Sequence, residues 1–253
     1  MKDRSVKAKR VVAGLFVLAV VPALVQVSRP AEAASRGGTI TGVVRFAGDY
    51  PPAEEITVTQ NPDVCGTSKL SRMFVVSPET KGLKNVVVTV EGVVGGKASS
   101  PTATATVAQK GCTYEPHVQV VEVAAGGTEF IIHNEDGILH NIQASMPSMG
   151  GRALFNSAQP GALKELKKKL KRPGLVRLKC DVHGWMNAYV MVLKDQPYHS
   201  LTDDAGQFTL EDVPAGSYTI HAWHEALGEM TKTVTVTDGE TTNVDWVIAP
   251  KGS

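Results

Sequence analysis

Residues 175–193 read Leu-Val-Arg-Leu-Lys-Cys-Asp-Val-His-Gly-Trp-Met-Asn-Ala-Tyr-Val-Met-Val-Leu. The two ends, Leu175 to Lys179 and Ala188 to Leu193, are short apolar runs of strand length. Between them, Cys180, His183 and Met186 place a thiol, an imidazole and a thioether within seven residues. A loop held by a strand on each side can turn all three toward one point. A further ligand then has to come from elsewhere in the chain. His140 is the candidate, because it follows the polar turn Asn134-Glu135-Asp136-Gly137 and opens another strand-like run, Leu139 to Ala144.

Outward from this segment the chain reads as strands almost throughout. Thr39 to Phe46, Asn85 to Gly92, Ala103 to Ala108, Val118 to Val123 and Glu129 to His133 lie before it. Phe208 to Leu210, Tyr218 to Trp223, Thr231 to Val236 and Thr242 to Ile248 lie after it. They are rich in β-branched residues and are separated by Gly, Pro, Asp and Asn, which argues for an all-β protein built of sandwiches or barrels. Gly126-Gly127 reads as a hairpin signal between its neighbours. Ala162 to Lys171 spaces leucines at 163, 166 and 170, which fits a short basic amphipathic helix or a strand with a lysine-covered outer face. A linker is expected at Lys194 to His199, with a weaker one near Ser77 to Gly82.

The start of the chain is a separate matter. Lys2, Arg4, Lys7, Lys9 and Arg10 precede an apolar run from Val11 to Val25, and Ala31-Glu32-Ala33 fits a signal-peptidase site. Residues 1–33 are therefore read as a cleaved signal peptide. The rival is an uncleaved anchor, for which the run is short against the roughly 20 apolar residues of a spanning helix. Without residues 1–33 the formal charge changes from +1 to −3. Hydrophobic residues are 42% and charged residues 20% of the chain, with no long block of like charge. This excludes a polytopic membrane protein and gives no reason to expect nucleic acid. In an exported chain, three cysteines suggest one disulfide and one cysteine with another role. Cys65 and Cys112 are the candidate bridge, the alternative being two buried thiols.

Two imidazoles, a thiolate and a thioether form a soft donor set, poorly matched to magnesium or calcium. Zinc accepts His and Cys but gains little from Met. Two His and one Cys in a plane with a long axial Met is the electron-transfer copper arrangement.

The segment Cys180-x-x-His183-x-x-Met186 resembles the copper loop of the cupredoxins, in particular the short loop of amicyanin. Asn134-x-Asp136-x-x-x-His140-Asn141, Tyr114-x-Pro116 and Gly126-Gly127-Thr128-Glu129-Phe130 are similar to other parts of that family, and the likeness runs over roughly residues 84–193. It implies one mononuclear type 1 copper held by His140, Cys180, His183 and Met186. It also implies a Greek-key sandwich, a redox partner protein, and Asn141 as a brace for the loop. The edge of His183 would reach an apolar surface patch. Trp185 is a departure, either a shield or a docking surface. Further on, Asp204-x-Gly206-x-Phe208 and Val213-Pro214-x-Gly216-x-Tyr218 resemble the carboxypeptidase regulatory-like domain, a small transthyretin-like sandwich without peptidase chemistry.

The expected layout is a signal peptide at 1–33, an N-terminal β segment at 34–83, a copper domain at 84–194 and a regulatory-like sandwich at 195–253. His117 and His133 read as surface or strand-end histidines. His221 and His224 would fall on opposite faces of a strand and so would not share an ion. No Ser-His-Asp constellation, zinc-protease motif or phosphate loop is present, so no enzyme is expected. The expected role is single-electron transfer in the periplasm or outside the cell, with no membrane span after signal cleavage. A copper carrier or sensor and a structural surface protein are the alternatives.

Overall fold

In strand His140–Met146 every second side chain is buried, and Thr128–Asn134 and Asn187–Leu193 behave alike. Period-2 patterning thus gives each strand one inward face. The computed structural model describes residues 37–248, apart from 49 and 51. The expected signal segment lies outside them. Among the described residues no helix is long and apolar enough to cross a membrane.

The strands form two sandwiches, and the protein is all-β. In the first, one sheet runs Arg152–Gln159, His140–Met146, Gly174–Lys179, Asn187–Leu193, Val118–Glu122. The facing sheet runs Glu165–Leu170, Thr128–Asn134, Thr104–Lys110, Thr113–Glu115. Phe130, Ile132, Ile142, Leu178 and Val190 lie in the core between them. In the second sandwich, Gly38–Phe46 pairs with Gln207–Val213, Thr241–Asn243 and Trp246–Ile248. The facing sheet runs His199–Leu201, Val87–Glu91, Gly216–His224, Gly228–Val236. Its core holds Ile40, Val88, Phe208, Ile220 and Trp246.

Several expectations change here. Val87–Glu91, counted with the copper domain at 84–194, is hydrogen-bonded to His199–Leu201 and Gly216–His224 in the other sandwich. Gly38–Phe46, expected in a separate N-terminal segment, pairs with C-terminal strands. The strands of residues 199–248 expose edges that these two early strands cover, as edge strands require. The Gly126-Gly127 turn joins two sheets rather than a hairpin, since Val118–Glu122 pairs in parallel with Asn187–Leu193 and Thr128–Asn134 with Thr104–Lys110. Gly127 has φ +91, and a Cβ there would lie 2.7 Å from the Leu170 carbonyl oxygen, so the turn needs glycine. The lysine-rich stretch is a strand, Glu165–Leu170, with Leu166 and Leu170 on the inner side and Lys167 and Lys169 exposed.

The connection between Leu70 and Val87 lays Phe74 and Val76 on the second core. Phe74 stacks on His224 at 5.5 Å between ring centroids. His224 is 1% exposed, and its Nδ1 accepts from the Ala226 amide at 3.3 Å. Burial lowers its pKa to about 4; Glu225 acts in the opposite sense and His117 adds to the lowering. The unfolded chain takes up a proton near the ordinary value of about 6.5, whereas the folded chain refuses it until about 4. Stability from this group is therefore complete above pH ~6.5 and falls as the pH drops toward 4, by up to about 3 kcal/mol. Denaturant unfolding at neutral and acid pH should show this loss, and His224→Phe should flatten it. An equal loss in the variant would assign it to other groups.

Candidate metal centre

Strand Gly174–Lys179 buries Val176 and Leu178, and the same phase carried one step past its end turns Cys180 inward. Strand Asn187–Leu193 buries Ala188, Val190 and Val192, and its phase run backward turns Met186 inward. Lys179 lies opposite Asn187, so Cys180 and Met186 face each other at the mouth of this pair. The Cys180 amide donates to the Met186 carbonyl at 3.2 Å, and the Met186 amide donates to the His183 carbonyl at 2.9 Å. His140 opens the neighbouring strand on the other side, also on the inward face. Ordinary strand phase and register thus bring His140, Cys180 and Met186 to one end of one core.

The ligand atoms of His140, Cys180 and His183 lie within 4.8 Å of one another, and all three residues are buried. The two imidazole centroids are 4.7 Å apart. The Cys180 sulfur is 3.8 Å from His183 Nδ1 and accepts the amides of Asn141 at 3.3 Å and His183 at 3.4 Å. Two backbone N–H groups are thus aimed at the sulfur and fix its position. Met186 is 2% exposed within the same core.

Each imidazole is held from behind. His140 Nε2 donates to Asp136 Oδ2 at 2.9 Å, and Asp136 also accepts the amides of Gly111 at 2.5 Å and Cys112 at 2.8 Å. The turn carrying Asp136 is fixed by Asn134, whose Nδ2 donates to the Ile138 carbonyl at 2.8 Å and whose Oδ1 accepts the Gly137 amide at 3.1 Å. Gly161 lets the next turn close on it, since a Cβ at Gly161 would fall 1.9 Å from the Gly137 carbonyl oxygen. His183 Nε2 donates to Asn61 Oδ1 at 3.0 Å. In both rings Nδ1 is then left with a lone pair, and His140 Nδ1 is buried with no partner among the described residues. A buried polar atom without a partner is costly. A soft cation among these atoms would relieve that cost, so the residues present fit such an ion.

Burial lowers the pKa of both histidines. For His140 the hydrogen bond and charge of Asp136 pull the other way; for His183 the neighbouring His140 adds to the lowering and Asp136 opposes it. Both are thus held in the neutral form that a metal requires. Tyr114 ties the two ligand strands together, its hydroxyl donating to the Asn141 carbonyl at 2.6 Å and the Lys179 carbonyl at 3.2 Å. Asn141 braces the loop, with Oδ1 accepting the Asp181 amide at 3.3 Å and Nδ2 donating to Asn156 Oδ1 at 2.6 Å.

One expectation is overturned here, the exposed edge of His183, and another is met, the Cys65–Cys112 bridge. His183 does not reach the surface: it is fully buried under residues 54–72, with Asn61 at its outer nitrogen. The Cys65–Cys112 disulfide is formed, and its sulfurs lie within 4.8 Å of a His183 ring nitrogen. Both sulfurs are consumed by that bond, which leaves Cys180 as the free cysteine. Trp185 is half-buried; its ring lies 5.2 Å from His183, and its Nε1 donates to the Cys112 carbonyl at 3.0 Å. It is thereby pinned beside the His183 ring, with part of its surface still exposed.

Asp136 stands four residues before His140, inside the motif already noted, and that spacing could have marked it as a partner. Asn61 is 122 residues from His183, and no local signal relates them. His133 lies on Thr128–Asn134, half-exposed. His117 is not a surface residue but 3% exposed, with Nε2 against Glu225 Oε1. His221 sits between Glu91 and Glu229, at 2.8 Å from each, while His224 stacks on Phe74, so these two do not converge.

Residues 182–249 match the family model of the carboxypeptidase regulatory-like domain. The match starts inside the Cys180–Met186 loop and takes in all the late strands of the second sandwich, but not Gly38–Phe46 or Val87–Glu91, which complete its sheets. Among solved structures, a Cu(I) form of an amicyanin variant is 18% identical, over 42% of this chain and 97% of that one, with a TM-score of 0.31. A purple cupredoxin from Nitrosopumilus maritimus is 24% identical, over 35% of this chain and 98% of that one, with a TM-score of 0.28. No curated protein matches the chain.

Proposed function

We propose that the chain binds one copper ion through His140, Cys180, His183 and Met186 and carries single electrons to or from a redox partner protein outside the cytoplasm. The observation that carries this reading is the unpartnered, buried His140 Nδ1 beside the Cys180 sulfur and the His183 ring. Copper in such a donor set supplies a one-electron couple whose two oxidation states share nearly one geometry. The protein's part is to hold that geometry. Asp136 and Asn61 fix the tautomer and angle of the two imidazoles. The Asn141 and His183 amides hold the Cys180 sulfur in place, and burial keeps water away from the donors. A disulfide between Cys65 and Cys112 supports an oxidising, exported setting.

A copper carrier would draw on clustered methionines, and Met146-Pro147-Ser148-Met149 places two close together. Met146 is buried in the core and only Met149, on the turn that follows it, is exposed, so the two do not act together as a capture segment. Titration of the purified protein with Cu(II), followed by visible absorption, tests the function. An intense charge-transfer band that saturates at one equivalent and bleaches with ascorbate is the expected outcome. Copper uptake without the band would favour a carrier, and no uptake would overturn the copper reading.

A further inference from the structure

Residues 54–72 do more than connect the two sandwiches. Strands Glu55–Thr57 and Ser68–Leu70 pair as a small separate sheet, with a short helical turn, Pro62–Cys65, between them. Three anchors hold the segment on the first sandwich. Cys65 is bonded to Cys112. Arg72 grips Glu115 with both guanidinium nitrogens, at 2.7 and 3.1 Å, and also donates to the Tyr114 carbonyl at 3.1 Å. Val58 and Cys65 are members of the first core. Asn61 occupies the helix-capping position, yet its side chain makes no capping bond. Its backbone is left-handed, at φ 52, a conformation Asn tolerates better than most residues. The side chain points instead to His183 Nε2.

We propose that residues 54–72 are a disulfide-anchored cover that closes the candidate metal centre, and that Asn61 is the positioning residue through which it sets the His183 ring. The cover takes the place that solvent would have at the outer edge of this imidazole. It excludes small external ligands from the His183 side, leaving a centre suited to passing electrons without binding a substrate directly. This consequence rests on the copper reading; the cover itself does not, and it can be tested on the metal-free protein.

Two measurements on the metal-free full chain separate the parts. The first is alkylation of Cys180 by iodoacetamide, followed by mass spectrometry. Cys180 is the free thiol and is 1% exposed. The Cys65→Ser/Cys112→Ser variant has no other thiol, and its rate should rise at least ~10-fold, because the local opening that admits the reagent becomes easier. Asn61→Gly keeps the disulfide and suits the left-handed backbone, and should give a rise of roughly 2- to 10-fold. Asn61→Asp retains an acceptor oxygen and should restore slow reaction. The second is the NMR signal of the His183 Nε2 proton. It should be visible and slow to exchange in the wild type and in Asn61→Asp, and lost in Asn61→Gly, which a purely structural role for Asn61 would not produce. Wild-type alkylation rates in the folded variants, or a persistent Nε2 signal in Asn61→Gly, would overturn the proposal. If the double-serine variant fails to fold, Asn61→Gly decides alone.

Discussion

Cys180→Ser is expected to abolish the visible charge-transfer band of the copper-loaded protein while leaving both sandwiches folded. The serine oxygen can still accept the Asn141 and His183 amides that now reach the sulfur. It is close in volume, so no large cavity forms in the surrounding core. On the proposed copper reading, what goes is a thiolate, the soft anionic donor that would select copper and give it an allowed ligand-to-metal transition. A hydroxyl does not ionise at neutral pH, so any Cu(II) retained would rest on the two imidazoles and have weak absorption. Asp136→Ala gives the contrasting result. The thiolate remains, but His140 loses the carboxylate that orients it and raises its donor strength. Copper affinity should fall about 10- to 100-fold with the band still present at saturation. Optical and EPR titration of both variants checks this pair. A full-strength band in Cys180→Ser would remove Cys180 from the ligand set.

Glu225→Ala is expected to cost about 3 kcal/mol of folding stability, a large share of what a protein of this kind has. His117 and Glu225 meet where the two sandwiches touch, and their side chains are 2% and 3% exposed. Beside them the Tyr189 and Trp223 rings pack edge to face at 5.6 Å. Burial, and after it the Glu225 charge, pushes the Tyr189 phenol up, a sign of how little solvent reaches this junction. His117 Nδ1 already lacks a partner among the described residues. Without Glu225 the ring would have both nitrogens unsatisfied, and each such group costs about 1–3 kcal/mol. Glu225→Gln keeps an acceptor and should cost roughly half as much. Replacing both partners, as His117→Leu with Glu225→Met, should recover most of the loss, since a matched apolar pair leaves nothing unsatisfied. Urea unfolding of the four proteins measures this. A Glu225→Ala midpoint equal to wild type would show that the pair adds nothing to the junction.

The strand content and the local half of the candidate site were legible in neighbouring residues alone. Alternation in His140–Met146 and Asn187–Leu193 is a property of neighbouring residues, and Cys180, His183 and Met186 lie in one loop whose two strands fix their direction. The regulatory-like segment was legible for the same reason, in turn residues next to strand residues. The remainder depended on long-range pairing. Lysines at 167, 168 and 169 carry no period-2 signal in their own right, and only pairing with Thr128–Asn134 makes Glu165–Leu170 a strand. Val87–Glu91 and Gly38–Phe46 read as strands, but their sheet was set by edges formed more than a hundred residues later. Asn61 over His183, and His117 against Glu225, are likewise pairings of distant residues. Local patterns fix the conformation of a segment because the interactions that choose it lie within a few residues. Which unsatisfied edge, nitrogen or thiol meets which partner is settled only when the chain has closed on itself, because each such group must find a partner once water is gone.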